Sequence, residues 1–195
     1  MSPLFTRLVM YALVLALSFA SLSIASRAHA DEHTNPTYSR GEVDDEVEDL
    51  FGGLSESMAL ALNRVFEDYG SPNAFIKGEE NSGALLFGLT YGEGELHMKS
   101  GEHEKIFWQG PSFGFDVGAE NSQAFVLVYN LANINDLFQR FPGLAGKAFF
   151  IGGIGVTYLQ SENTVVAVMR SGVGIRGGVN AGYLKFRREA TLLPF

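Results

Sequence analysis

The sequence predicts a mainly β fold, an antiparallel sandwich or barrel with one helix ahead of it and one short helix between its strands. Three observations predict it. From Gly83 onward, short alternating apolar segments are separated by Gly, Pro, Asn and Ser. Little helical periodicity lies between them, which argues against a layered α/β arrangement. Glycines also recur within or beside these segments, at 152, 153, 155, 172, 174, 177, 178 and 182. A sheet that curls onto itself needs such positions, because a side chain there would collide with the next strand, and this favours the barrel.

The chain begins with a segment that does not belong to that fold. Arg7 supplies a short positive region, Leu8 to Ala25 is apolar apart from serines, and Ala28-His29-Ala30 places small residues where signal peptidase reads them. Residues 1–30 are therefore expected to be a signal peptide cleaved after Ala30, with an acidic flexible leader over 31–53 and a single barrel domain over 54–195. After cleavage no transmembrane segment is expected. The chain has no cysteine, which excludes a lipid anchor at the cleavage site, disulfides, thiolate zinc sites and a Cys nucleophile.

Without Arg7 and Arg27 the chain keeps 12 basic against 22 acidic residues, a balance of −10. Residues 31–80 hold 13 acids and 3 bases, whereas 81–195 balance at 9 and 9. So acidic a chain is a poor general nucleic-acid binder, and no nucleic-acid partner is expected. Asp31 to Gly53 reads as a solvated tail, in which Val43 and Val47 could make a short helical turn; its carboxylates lack the glycine-turn spacing of a calcium loop. Ser55 to Tyr69 is the clearest helix. Met58, Leu62, Val65, Phe66 and Tyr69 form one apolar stripe, Ser55 or Ser57 can cap the start, and Gly70-Ser71-Pro72 ends it. Its polar side is acidic, which disfavours a membrane-surface role.

Leu85, Phe87, Leu89 and Tyr91 occupy one strand face, and the apolar parity switches at Leu96 and Met98, so a one-residue bulge is expected at Gly92-Glu93-Gly94. Strands follow at His103–Gln109, Ser112–Gly118 and Gln123–Asn130, then a short helix at Asn133–Phe141 ended by Pro142-Gly143. Two long strands, Ala148–Gln160 and Thr164–Arg176, are joined by the hairpin loop Ser161-Glu162-Asn163-Thr164, and a last strand runs through Tyr183–Arg187. Gly172-x-Gly174-x-x-Gly177 has the spacing of a dinucleotide fingerprint. That motif requires a helix directly after its glycines and an acid about twenty residues on, and this sequence supplies neither.

Chemistry has few footholds. Glu93, Glu95 and His97 alternate, so they share a face if the strand is regular there, and could hold a divalent metal; an ordinary wet face explains them more simply. No nucleophile elbow or Ser-x-x-Lys motif is present, and no cofactor is expected. A glycosidase-type carboxylate pair needs only two acids that meet in space, and the sequence singles out none. Arg170 and Arg176 share the parity of Val166 and Val168. If that face is outside, both are solvated; if it lines a barrel mouth, they could meet an anionic head group or sugar phosphate. Trp108 and Phe113, on either side of Pro111, are candidates for core or for a ligand platform.

From Trp108 onward, "FWQGPSFGFDVGAENSQAFVLVYN" and "KAFFIGGIGVTYLQSENTVVAVMRSGVGIRGGVNAGYLKF" resemble the EipA family of exported bacterial proteins, over roughly residues 43–195. The resemblance implies a soluble periplasmic barrel of about eight strands that supports the cell envelope, with no catalytic residues to carry over. A weaker similarity links Trp108, Pro111, Ser112, Gly114, Gly118, Ala119 and the strand Phe125–Asn130 to the SYLF lipid-binding domain, which implies a lipid or membrane-surface role. Three functions follow as expectations: a non-enzymatic envelope protein that contacts lipid, lipopolysaccharide or another envelope protein; a lipid or glycan carrier using Arg170, Arg176, Trp108 and Phe113; and a carboxylate-dependent envelope hydrolase.

Overall fold

Eight strands close into one barrel in the computed structural model, which describes residues 35–83, 89–111, 122–171 and 182–191. They are β1 (Ala74–Gly83), β2 (Leu89–Met98), β3 (His103–Pro111), β4 (Ser122–Tyr129), β5 (Arg140–Ile151), β6 (Ile154–Ser161), β7 (Thr164–Ser171) and β8 (Tyr183–Arg187). Their order is β1-β2-β3-β8-β5-β6-β7-β4, and β4 returns to β1. Every pairing is antiparallel. That topology excludes a dinucleotide-binding fold, which needs parallel strands. The glycine run 172–178 itself lies outside the described residues.

The period-two alternation of each strand sorts its side chains between two cores. Ile76, Leu96, Ile106, Trp108, Val126, Val128, Phe141, Leu159, Val166, Val168, Leu184 and Phe186 point inward and fill the barrel. Phe75, Phe125, Leu127, Tyr129, Val156, Tyr158, Val165, Ala167 and Met169 point outward, beneath two helices. Strands β4, β6 and β7 are thus buried on both faces, which is why "AFVLVY" and "TVVAVM" read as continuous apolar runs. At one end Leu131, Leu137 and Ile134 close the barrel. Asn73 clamps this closure: its amide donates to the Leu131 carbonyl (2.7 Å) and accepts from the Leu131 N–H (3.1 Å).

Helix α1 (Arg40–Phe51) corrects the expectation of a flexible leader over 31–53. Ser39 and Glu42 form a capping box and Gly52 ends the helix in the left-handed region. Val43 and Val47 are fully buried, worth about 1.5–3 kcal/mol each. The acidic side chains find partners on the barrel: Lys77 reaches Glu46 (2.7 Å) and Asp49 (2.9 Å), and Lys99 pairs with Glu42. Helix α2 (Glu56–Tyr69) matches the expected helix, with Ser55 as its cap and Met58, Leu62 and Val65 buried. Arg40 ties the two helices by donating to Asn63 and to the Ala59 carbonyl. The described residues from Asn35 onward form one compact unit, with α1 packed on the barrel as part of it.

Four other expectations change. Strand β1 carries no apolar alternation and was not foreseen, because two of its inward positions are Gly78 and Glu80. Strand β2 runs through Gly92-Glu93-Gly94 in unbroken register with both neighbours, so there is no bulge; the apparent parity switch comes from glycines standing at inward positions. The helix expected at Asn133–Phe141 shrinks to a 3-10 turn, Ile134–Leu137, capped by Asn133, after which the chain becomes β5 through Pro142-Gly143. Finally, Ala148–Gln160 is not one strand. Gly152 and Gly153, at φ 51 and 93, turn it into the β5–β6 hairpin. The expected hairpin loop between β6 and β7 is present.

Among the described residues no helix is long and apolar enough to cross a membrane. The barrel itself is apolar inside, while Glu79, Glu93, Glu95, Lys105 and Arg140 lie on its outer surface. A barrel that spans a bilayer has the opposite sidedness.

Candidate functional site

At the end of the barrel away from the Leu131 closure, the apolar interior gives way to a polar triad. Ala74, Ile76, Gly78 and Glu80 follow one another along the inner face of β1, and Glu80 is only 1% exposed. It stands opposite Gly92 of β2, which in turn stands opposite Trp108 of β3. With no side chain at Gly78 or Gly92, the indole lies across β2 and over β1; a methyl at Gly78 would come within 2.7 Å of Trp108 Cη2. The indole N–H then donates to Glu80 Oε1 at 2.7 Å. Arg170, on the inner face of β7 beside Val168 and Val166, donates from Nη2 to Glu80 Oε1 at 2.9 Å and from Nε to Oε2.

The carboxylate therefore accepts three N–H bonds and holds a bidentate guanidinium, a charge-assisted arrangement that satisfies a buried charge. With its oxygens so engaged, Glu80 holds Trp108 and Arg170 in place. Of the nominated ligand residues, Arg170 and Trp108 are thus brought together. Phe113 and Arg176 lie outside the described residues. The face of Arg170 is settled as inward, in place of the solvated arginine that its residue type favours. Glu80, which joins the two, was not nominated: one acid among the Glu79-Glu80-Asn81 polar run gives no sign of which way it points.

The metal candidate resolves differently. Glu93, Glu95 and His97 do share the outer face of β2, but Glu93 pairs with Lys105 at 3.1 Å and His97 lies 3.5 Å from Glu95. His97 also stacks on Phe75. Among the described residues no group of three or more His, Cys, Asp or Glu could hold a metal ion.

Beneath α2 lies a second polar cluster. Tyr158 donates to Asp68 at 2.8 Å, and Tyr69 packs between the Tyr129 and Tyr158 rings at 5.5 and 5.1 Å. Burial first, and then the Asp68 hydrogen bond, push the Tyr158 phenol far above its ordinary range. Burial does the same to Tyr129, whose hydroxyl has no hydrogen-bond partner among the described residues. These phenols stay protonated and dock the helix.

On the strands that the helices leave uncovered, two hollows flank β8. One, of about 260 Å³, is lined by Tyr91, Phe107, Gln109 and Arg187 and reaches the segment Glu189–Thr191. The other, of about 590 Å³, is lined by Phe138, Lys185, Arg187 and Arg188. The cations Lys185, Arg187 and Arg188 stand close together in the chain, but only the β3–β8 pairing places Phe107 beside them, since it joins residues far apart in sequence.

Comparison with known proteins agrees with this architecture. The model of the EipA family, envelope integrity protein A, matches residues 36–195. The chain belongs to that family, as its resemblance from Trp108 onward implied. Two solved chains match. One is a crystal structure described as a beta-barrel-like, uncharacterised protein from Brucella abortus, 46% identical, covering 82% of this chain and 99% of its own, with a TM-score of 0.74. No curated protein matches. Of the residues that carried the SYLF likeness, Ser112, Gly114, Gly118 and Ala119 lie outside the described residues, and Trp108 faces the barrel interior.

Proposed function

We propose that this envelope integrity protein A family member acts in the periplasm as a non-enzymatic binding protein that supports the cell envelope, after export by residues 1–30 and cleavage behind Ala30. The family match carries the envelope role. Its start at residue 36, just beyond the expected cleavage site, agrees with a leader that is no part of the domain. The state of Glu80 supports binding over catalysis: among the described residues it is the one buried carboxylate, and it is held by Trp108 and Arg170. The filled interior favours recognition on the outer surface over a carrier that holds its ligand within the barrel. Trp108 and Arg170 then serve the site by fixing the strands that present it.

The test uses a bacterium deleted for its own family member. The full chain should restore growth in detergent, its periplasmic form should begin at Asp31, and a version lacking residues 1–30 should restore nothing. Equal rescue by the cytoplasmic version would refute the periplasmic role, and absence of rescue by correctly exported chain would refute the envelope function. Release of cleaved glycan fragments by purified protein would overturn the non-enzymatic part.

A further inference from the structure

The face of the barrel that the two helices do not cover holds two cations, Arg140 and Lys185, that no carboxylate among the described residues pairs. Arg140 of β5 stands directly opposite Lys185 of β8. Phe141, Leu184 and Phe186 point inward, so both cations are on the outer surface, and like charges directly opposite on a sheet destabilise it. Neither has a carboxylate partner among the described residues, whereas Lys77, Lys99, Lys105, Arg170 and Arg188 each have one. Arg187 follows two residues along the same face, opposite Phe107. In a chain whose charge after cleavage balances at −10, this is a local reversal of sign.

Aromatic rings stand among the cations. The Arg140 guanidinium lies 4.1 Å from the Tyr183 ring centre, and Lys105 lies 5.1 Å from that of Phe107. Arg187 lines both hollows beside β8, so they form one track with Tyr91 and Phe107 at one end, Phe138 at the other, and Lys185 and Arg187 along it. Acids at its border are mostly engaged: Glu93 with Lys105, and Glu104 with Arg188; Glu189 borders both hollows.

We propose that this face, β8 with the adjoining parts of β3 and β5, binds a phosphate-bearing glycan chain. Arg140, Lys185 and Arg187 take the phosphates, and Phe107, Tyr183 and Tyr91 offer flat apolar faces to the sugar rings. A track of two joined hollows suits a chain ligand better than a single small anion, and rings between cations suit a sugar better than a bare polyanion. The proposal rests on the envelope role above and names the ligand class for it.

The test uses the mature chain, residues 31–195, with phosphorylated dextran as probe, and uncharged dextran of the same length, inorganic phosphate and phosphatidylglycerol vesicles as comparisons. Phosphorylated dextran should bind at least tenfold more tightly than either soluble comparison, and the affinity should fall with added salt. Arg140→Gln with Lys185→Gln should weaken it at least tenfold while slightly raising the melting temperature, since the opposed charges are gone; Lys147→Gln, a cation over Tyr69 on the helix-covered side, should change nothing. Tyr183→Ser should weaken dextran phosphate more than inorganic phosphate. Equal binding of inorganic phosphate, preference for the vesicles, or unchanged affinity in the double variant would each overturn the proposal. Loss of dextran binding beside intact detergent rescue would refute this ligand and leave the envelope role standing.

Discussion

Replacing Gly92 with Ala tests the barrel interior at its narrowest point. A Cβ there would fall within van der Waals overlap of three indole atoms of Trp108, Cε2, Cζ2 and Nε1. None of these is the free end of a flexible chain: the ring is 2% exposed and wedged against Phe186. The indole must swing away, which breaks its 2.7 Å bond to Glu80. Overpacking of this kind costs about 1–3 kcal/mol, and a lost hydrogen bond to a buried charge about 1.5–3 kcal/mol. The expected loss is therefore about 2.5–6 kcal/mol, or a fall in Tm of about 5–24 °C for a domain of this size. Because Trp108 is the single tryptophan, its fluorescence reports the displacement directly and should shift to the red as water reaches the ring. Gly41→Ala is the matched control: nothing lies within 4 Å of a methyl there, and inside α1 it should stabilise by about 0.5–1 kcal/mol. An unchanged emission maximum with a stability loss below about 1 kcal/mol in Gly92→Ala would refute the account of why β2 is rich in glycine.

Two further outcomes follow from polar groups beneath and beside the helices. Tyr129→Phe removes a hydroxyl with no partner among the described residues and should be neutral or stabilising by up to about 1 kcal/mol, whereas Tyr158→Phe, which leaves Asp68 without its 2.8 Å donor, should cost about 1–3 kcal/mol; chemical denaturation separates them. The Glu42 carboxyl is held at about 2, chiefly by its hydrogen bond from Lys99 and then by those from Ser39. A carboxyl whose folded pKa is depressed stabilises above its unfolded value of about 4.3, and that contribution disappears as the pH falls toward 2. Between pH 4 and 2, α1 amides should lose hydrogen-exchange protection before those of β4 and β7, and Lys99→Met should reduce the difference.

How much of this was legible in the chain depends on which face a segment buries. Helix α2 has one apolar stripe, and its limits follow from Ser55 and Gly70. Helix α1 was hidden because only Val43 and Val47 are buried and its other contacts are ion pairs with Lys77 and Lys99, residues contributed by β1 and the turn after β2. A pattern of local hydrophobicity cannot register an attraction to a lysine about thirty or more residues away. Strand β1 was hidden for the converse reason. Its inward positions include a glycine that admits the indole and a glutamate that binds it, so the usual alternation is absent where the interior is most specific. The parity of Arg170 was plain, but β7 is apolar on both faces and the sequence gives no rule for which is inside.

The two places where local rules fail lie back to back on one strand. Trp108 faces inward, where it joins a buried ion pair that an apolar core would have made unnecessary. Phe107 and Gln109, its neighbours on β3, face outward, where they pair with Arg187 and Lys185 of β8. Trp108 itself pairs with Phe186 in the same register. A slip of one residue between β3 and β8 would set the indole opposite a cation and bring both to the same face of the sheet. Glu80, by holding both Trp108 and Arg170, ties that register to β1 and β7 on the far side of the interior. The buried charge and the outer cations of β8 are therefore joined through β3, whose inner face binds the carboxylate and whose outer face stands beside those cations. Departures from local consistency that meet on one strand in this way are what the proposed glycan-binding face requires, since either alone lowers stability without helping the barrel to close.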